Sequence, residues 1–530
     1  MKKRTITANI TRAIIITAIG IGMFPRLTLC ANSTMTRTEL ADKIRGGWVG
    51  KAYGVSFGGP TEFVNMGKII DGPLSLQPGA LKKLLLHQDD MYVNMALLKA
   101  VVDHGLDATP SDFAHQFALG DFLLWHANGQ GRQNLLAGIP PDLSGHPRYN
   151  PHADDIDFQI ECDFIGLVCP GLPQEAHKIS DRAGHLMNWG DGVYGGIFVS
   201  AMYAAAFIEK DVQKIVASGL ASLPAESRYA RVVSDVIAWH QKYPGDWKQT
   251  WQLLEDKYNH DLCPWGVESK FNIQASLNGA YIAMGLLYGN GDLEKTVEVS
   301  TRCGQDSDCN PANAGGIIGV VLGFNKLPVS VQQALEPYMN SVYNFTSFSI
   351  QSATEACVKL ALQNISRTGG QVDAEKVTIQ PQTFKPLRPL EVSFPTMTPA
   401  KRYNVNDAGI TWSGVWTSSG QDDGAMRHSA HPGDYMETTF EGNIVYVQGD
   451  TRFDKGILDI VIDGTYMGSR DMFLPKNWSR ADQTTAVWIT GLADGKHTLR
   501  VVVTGRKNLF AADCQIRLGK VISYRGEVAK

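Results

Sequence analysis

Between about Thr36 and Ser366 the apolar side chains recur every three to four residues, the period of helices with one face turned inward. In "DDMYVNMALLKAVVDHG" (89–105), Met91, Met95, Leu98 and Val102 share one such face. The segments "DGVYGGIFVSAMYAAAFIEK" (191–210), "SDVIAWHQKY" (234–243) and "NIQASLNGAYIAMGLLYG" (272–289) read the same way, and the small residues inside them let helices approach closely. Strand-like alternation is scarce here, and there is no βαβ repeat and no phosphate-binding GxGxxG. A helical domain over 36–370 is expected.

The pattern then changes twice. "IQPQTFKPLRPLEVSFPTMTPA" carries Pro381, Pro386, Pro389, Pro395 and Pro399, which predicts an extended linker over 371–402, draped over a surface or held between domains. Beyond it the period is two. "YMETTFEGNIVYVQGD", "GILDIVIDGTYMG", "TAVWITGLADGKHTLRVVVTG" and "CQIRLGKVISY" alternate between Gly-Asn, Asp-Gly and Asp-Gly-Lys turns, predicting a β-sandwich over 403–530. The expected fold class is multidomain, an all-α domain followed by a jelly-roll β-sandwich, and 530 residues leave room for two or three domains.

The start of the chain has another character. Lys2, Lys3 and Arg4 precede "AIIITAIGIGMF", a run suited to a signal peptide (1–31) and short for a membrane span. Cleavage near Ala31 would export the protein to the periplasm or the outside. "LTLC" faintly matches a bacterial lipobox, but Leu29 stands where a small residue is needed, so free export is favoured over a lipid anchor at Cys30. No later stretch is long and apolar enough for a membrane helix, and a net charge of −4 gives no basic excess for nucleic acid. Export permits disulfides. Cys162 with Cys169 and Cys303 with Cys309 are candidate pairs, free buried thiols being an equal expectation. The absence of CxxC and HExxH argues against a structural zinc site.

Three acidic stretches could carry chemistry. Asp89 and Asp90 open a helix, where the helix dipole alone favours carboxylates. In "CGQDSDCNPANAGG", Asn310 suits the cap and Pro311 the first turn of a helix, so Asp306 and Asp308 fall in the loop before it, and a tight loop can aim both at one cation. Gly315, Gly319 and Gly323 line one face of that helix, which must then lie against another backbone and fix the loop. "HADDIDFQIECDF" (152–164) holds Asp154, Asp155, Asp157, Glu161 and Asp163 without a clean ligand spacing. Most of it is expected to be a solvated loop, with Asp157 or Glu161 able to supply a carboxylate to a central cavity.

Taken in order, "IRGGWVGKAYGVSFGGPTEF" (44–63), "QDD" (88–90) and "GQDSDCNPANAGGIIGVVLG" (304–323) resemble the motifs of the ADP-ribosylglycohydrolase family. These are a glycine turn followed by a glutamate, Thr-Asp-Asp, and Gly-Asp-x-Asp-Thr before a glycine-rich helix. The resemblance covers about 37–365. It implies an all-α fold with two magnesium ions in a central cleft, held by Asp89, Asp90, Asp306 and Asp308, with Glu62 on a loop beside them. Gln88 and Cys309 stand where the family has threonine ligands, and Lys51 where it has an acid. Gln88 can offer a hard carbonyl oxygen. Cys309 is a soft ligand, poorly suited to magnesium, and is expected to pack. One ion instead of two, or another divalent cation, would accommodate these departures.

The β region around "WSGVWTSSGQDDGAMRHSAHPGDYMETTF" is similar to galactose-binding-like modules of secreted glycan-degrading enzymes. Trp412, Trp416 and Trp478 are candidates to stack on sugars; Trp488, in a clean strand, is expected in the core. The expectation is an exported, metal-dependent glycoside hydrolase using Glu62, Asp157 or Glu161 as its catalytic carboxylate. A hydrolase of ADP-ribosyl conjugates and a non-catalytic sugar-binding protein with a decayed metal site are the alternatives.

Overall fold

The computed structural model describes residues 31–76, 85–421, 424–478 and 480–530, so the apolar leader and Cys30 lie outside the described residues. Three helices form the centre of the first domain: Asp191–Ala206, Ala275–Gly289 and Cys309–Leu322. Each is apolar nearly all round and buried along most of its length, as a central helix must be. The opening helix Arg37–Gly58 runs along Cys309–Leu322, and the helices Asp89–His104, Leu293–Arg302 and Ile350–Arg367 pack outside them. Met91, Met95 and Leu98 are buried as their spacing predicts; Val102, in the last turn, is 42% exposed because the stripe outruns its cover.

The glycine-rich face finds its partner in the opening helix. A Cβ on Gly46, Gly50, Gly54 or Gly58 would come closer than 3.0 Å to the carbonyl oxygen of Gly319, Gly315, Pro311 or Ser307 respectively. Backbone therefore meets backbone along four turns, and the last of these contacts falls on the loop carrying Asp306 and Asp308.

A small antiparallel sheet ties the two ends of the helical domain together. Ser33–Thr36 pairs with Lys376–Ile379, which pairs with Gln371–Val372, so the stretch read as linker begins with two strands. Its proline-rich remainder lies on the helical surface. The Gln382 side-chain oxygen accepts from the N–H groups of Gln174 and Glu175 at a helix N-terminus, and His185 Nε2 meets Glu391 Oε2 at 3.1 Å. The stretch ends in strand Thr398–Tyr403, paired with the final strand Ile516–Arg525.

The second domain is a β-sandwich of two antiparallel sheets. One orders its strands Thr465–Asp471, Gly456–Ile462, Gly495–Lys507, Tyr435–Gly442 and Ile410–Ser413. The other runs Arg480–Ile489, Ile444–Thr451, Ile516–Arg525, Met426–Ser429 and Thr417–Ser419. The Asp-Gly turn closes a two-residue hairpin with Asp463 at φ 51° and Gly464 at φ 78°, the left-handed pair that matches strand twist. Val267, Met397, Ile444, Tyr446, Trp488, Ile522 and Tyr524 form an apolar cluster between the domains. The Trp488 indole donates to Pro147 O across it at 2.8 Å.

The seven described cysteines are all free. Neither expected pair forms, because the thiols of Cys162 and Cys303 turn to carbonyls of their own segments, Gln159 O and Val299 O, each at 3.3 Å. No helix among the described residues is long and apolar enough to cross a membrane.

Candidate metal centre

Two segments far apart in sequence supply the acids. Asp89 and Asp90 occupy the first turn of helix Asp89–His104. The second helix starts two residues earlier than expected, at Cys309 with Asp308 as its cap, since Asp306 O and Asp308 O already accept from the N–H groups of Asn310 and Ala312. Asp308 is thereby held at the positive end of a helix dipole.

The loop before it is bent by Gly304 (φ 82°) and Gln305 (φ 55°), and the Glu62 loop by Phe63 (φ 50°). Left-handed backbone at a non-glycine residue costs of order 1 kcal/mol or more and persists where its surroundings hold it. Here Phe63 N donates to Gln305 O at 3.0 Å, Thr61 and Ser307 share a hydroxyl hydrogen bond of 2.8 Å, and the Gln305 side chain bridges Asn272 N and Lys270 O. These bonds bring Glu62 beside Asp306. Gln305 carries no sequence signal for this role.

The result is two overlapping ligand groups. Glu62, Asp306 and Asp308 form one, and Asp90, Asp308 and Cys309 the other, each with its ligand atoms within 4.8 Å of one another. Asp308 belongs to both. Asp89 contributes to neither, though its charge is felt by Asp308 and Cys309. Gln88 donates its amide nitrogen to Asp308 Oδ2 at 3.1 Å, so it would meet a cation only with the amide turned over. Cys309 Sγ lies 3.5 Å from Asp308 Oδ1, and burial, then the neighbouring acids, push its thiol far up. It is a neutral, packed group here.

Burial and mutual repulsion set the electrostatics. Asp306 and Asp308 are both held well above the usual carboxylate range, by burial first, then by Glu62 for Asp306 and by Asp306 for Asp308. Burial and Asp90 push Asp89 up to about 7. Asp90 Oδ2 and Asp306 Oδ1 are buried with no hydrogen-bond partner, a costly state for a carboxylate oxygen. Hard oxygens, mutual repulsion and two unpartnered buried atoms fit one or two divalent cations.

Lys51 sits just beneath. Its ammonium is fully buried and donates to Asp90 Oδ1 (3.2 Å), Asp163 Oδ2 (2.8 Å) and Ile160 O (2.9 Å). Burial works against this charge, but Asp163 and Asp90 outweigh it and raise the lysine above its ordinary range. Asp163 is held in turn by Asn94, Tyr203 and Asn313.

The 152–164 segment corrects the expectation of a solvated loop. Asp155, Asp157, Glu161 and Asp163 are all buried, met by groups from other segments of the chain. Asp157 accepts from the N–H groups of Ala127 (3.2 Å) and Asn128 (3.1 Å), so both its oxygens brace the start of helix Ala127–Leu136. Burial pushes it up to about 6 all the same. Glu161 takes the Asn128 amide on one oxygen, its other oxygen is buried without a partner, and burial raises it well above its ordinary range. Neither belongs to the two ligand groups.

The raised carboxyls bind protons in the fold that they would release when unfolded, so they favour folding at low pH and lose that contribution as pH rises through their folded values. A bound dication removes the penalty. Magnesium at a hundredfold excess over its Kd at pH 8 is therefore expected to stabilise the fold by about 2.7 kcal/mol, and the same concentration is expected to raise the melting temperature less at pH 5.5. Calorimetry with magnesium or chelator at both pH values checks this. An increment larger at pH 5.5 would contradict it.

The model of the ADP-ribosylglycohydrolase family matches residues 36–362. No curated protein matches the chain. A solved structure described as "ADP-ribosylglycohydrolase-related protein complex" is 14% identical over 62% of this chain and 99% of its own, with a TM-score of 0.43. A family two carbohydrate esterase from Cellvibrio japonicus is 14% identical over 25% of this chain and 36% of its own, at TM-score 0.18. The CBM36-1 domain of a multidomain xylanase from the hindgut metagenome of Trinervitermes trinervoides is 17% identical over 23% of this chain and 98% of its own, at TM-score 0.15.

Proposed function

Because the chain belongs to the ADP-ribosylglycohydrolase family, we propose that it is a divalent-metal-dependent hydrolase of glycosidic bonds, exported by its leader to act on a glycan or glycoside. The observation that carries this is Asp308, shared between two ligand groups whose Asp90 Oδ2 and Asp306 Oδ1 are buried and unpartnered. Glu62, Asp306 and Asp308 would hold one magnesium ion. Asp90 and Asp308, with a turned Gln88, would hold a second, Asp89 adding negative charge nearby without ligating. Bound there, magnesium supplies Lewis acidity toward vicinal sugar hydroxyls and lowers the pKa of a coordinated water.

The chain's own residues do the rest. Glu62 is exposed at the rim of the centre, where it can exchange a proton with water or with a leaving group. Lys51 neutralises Asp90 and Asp163 from below, which fixes the floor of the site without reaching solvent. Asp157 braces the wall through helix Ala127–Leu136 and is better placed to position than to react.

A glycan is supported by the seam between the domains. A cleft of about 530 Å³ there is lined by Arg148, Tyr149, Arg470, Trp478 and Asn508, the mixture of flat faces and polar groups that sugars require. Trp412 and Trp416 instead pack edge to face at 4.7 Å against the sandwich core, while Trp488 belongs to the interdomain cluster and also lines this cleft. A second reading, release of ADP-ribose from a conjugate, is favoured by the family itself.

The test is sugar release by the chain from Asn32 onward, against polysaccharides and ADP-ribosyl conjugates, with magnesium and with chelator. Chelator-sensitive release from a glycan is the expected outcome. Release of ADP-ribose alone would select the second reading. Tight glycan binding without turnover would return the protein to the non-catalytic alternative.

A further inference from the structure

We propose a second metal site, separate from the acidic centre, formed by His152, Asp155 and Cys263 and suited to zinc or a similar borderline dication. His152 Nδ1 lies 2.8 Å from Asp155 Oδ2 and 3.2 Å from Cys263 Sγ, and Cys263 Sγ lies 3.3 Å from Asp155 Oδ2. All three side chains are buried.

The geometry separates this from a catalytic relay. In a Cys-His-Asp relay the thiol and the carboxylate engage opposite nitrogens of the imidazole. Here both engage Nδ1, so three donor atoms converge on one point. A circle through them has a radius of about 1.8 Å, and an ion raised about 1 Å from their plane stands about 2.1 Å from each. Zinc bonds are ~2.0–2.1 Å to nitrogen, ~2.0–2.2 Å to oxygen and ~2.3 Å to sulfur. Only the sulfur has to move, by a few tenths of an ångström.

The surroundings hold the donors in place. Asp155 N donates to His152 O and His152 N to Asn150 Oδ1, while Cys263 N donates to Asp261 Oδ1. Burial disfavours every ionised form, raising Asp155 and Cys263 well above and lowering His152 well below their ordinary values. A dication is the partner that makes carboxylate and thiolate tolerable in such a place. The donor set of one thiolate, one imidazole and one carboxylate suits zinc and excludes a preference for magnesium.

The site would join two segments under the β-sandwich. Residues 150–155 carry His152 and Asp155, and residues 261–267 carry Cys263 together with Trp265 and Val267. Lys520 of the sandwich lies 4.2 Å over the Trp265 ring, and Arg402 Nη1 donates to Val267 O at 3.0 Å. Metal binding would thus stiffen the face on which the second domain rests. On charging, Cys263 and Asp155 release whatever protons they hold to solvent and His152 binds as the neutral ring, with no change of oxidation state.

The experiment titrates the reduced full chain with cobalt(II) and follows the thiolate-to-cobalt charge-transfer band, then records X-ray absorption at the zinc edge of the zinc-loaded wild type. One equivalent of cobalt is expected to give the band, Cys263→Ser to abolish it, and Cys309→Ser to leave it intact. The zinc spectrum is expected to show one sulfur with nitrogen and oxygen neighbours, a result that needs no variant to fold. Absence of the band in wild type, its persistence in Cys263→Ser, or a zinc shell without sulfur would overturn the site.

Discussion

Asp308→Asn is expected to abolish magnesium-dependent sugar release while making the metal-free protein more stable. Asp308 serves both ligand groups, so its loss weakens each ion rather than one. A catalytic dication contributes several kcal/mol of transition-state stabilisation, and each 1.4 kcal/mol is tenfold, so activity should fall by about three orders of magnitude or more. The stability change has the opposite sign. Without metal, burial and Asp306 hold Asp308 far above the usual carboxylate range, and a neutral amide of the same shape removes that repulsion. In chelator at pH 8 the variant should melt several degrees above wild type, and magnesium should no longer raise its melting temperature. Such opposed effects are expected where a site keeps unfavourable charge for function. Paired activity and calorimetry measurements decide the point; wild-type turnover in the variant would sink the shared-ligand reading.

Gly54→Ala is expected to destabilise the helical domain although it adds only a single methyl. On propensity alone the change should help, since alanine is better than glycine in a helix by about 0.8–1.0 kcal/mol. The added carbon, however, would come closer than 3.0 Å to the Pro311 carbonyl and the Ala312 Cα, and neither backbone atom can swing aside. Overpacking costs ~1–3 kcal/mol, and a clash with backbone belongs at the top of that range, which leaves a net loss of about 2 kcal/mol. Relief requires the two helices to separate, and Pro311 lies three residues from Asp308. Magnesium affinity should therefore fall about tenfold together with the urea midpoint. A variant as stable as wild type with unchanged affinity would show that the close helix contact does not hold the acid loop.

Much of the architecture could be read directly from the pattern. The helical period of the first domain, the proline-rich stretch and the alternation of the second follow from which side chains must be buried, and local chemistry settles that over ten to twenty residues. The glycine face of Cys309–Leu322 demanded a backbone partner before its identity was known, because a row of residues without side chains has no other packing use. Asp89, Asp90, Asp306 and Asp308 stand out in the sequence as two acidic pairs, and the fold brings Asp90, Asp306 and Asp308 into two overlapping groups with Asp89 outside both.

Other features depended on positions brought together only by folding. Nothing local distinguishes Lys51 from a surface lysine, yet it is the buried counter-charge of Asp90 and Asp163. The 152–164 acids look solvated when taken as a string; helix N-termini, Lys51 and side-chain amides supplied from elsewhere are what bury them. The spacing rules that argued against a zinc site are rules about neighbours in sequence, whereas Cys263 reaches His152 from 111 residues away. Sequence determined which groups had to be covered and which charges had to be answered. The tertiary structure decided what would answer them, because electrostatic and coordination energies depend on distances between atoms, which separation along the chain does not set.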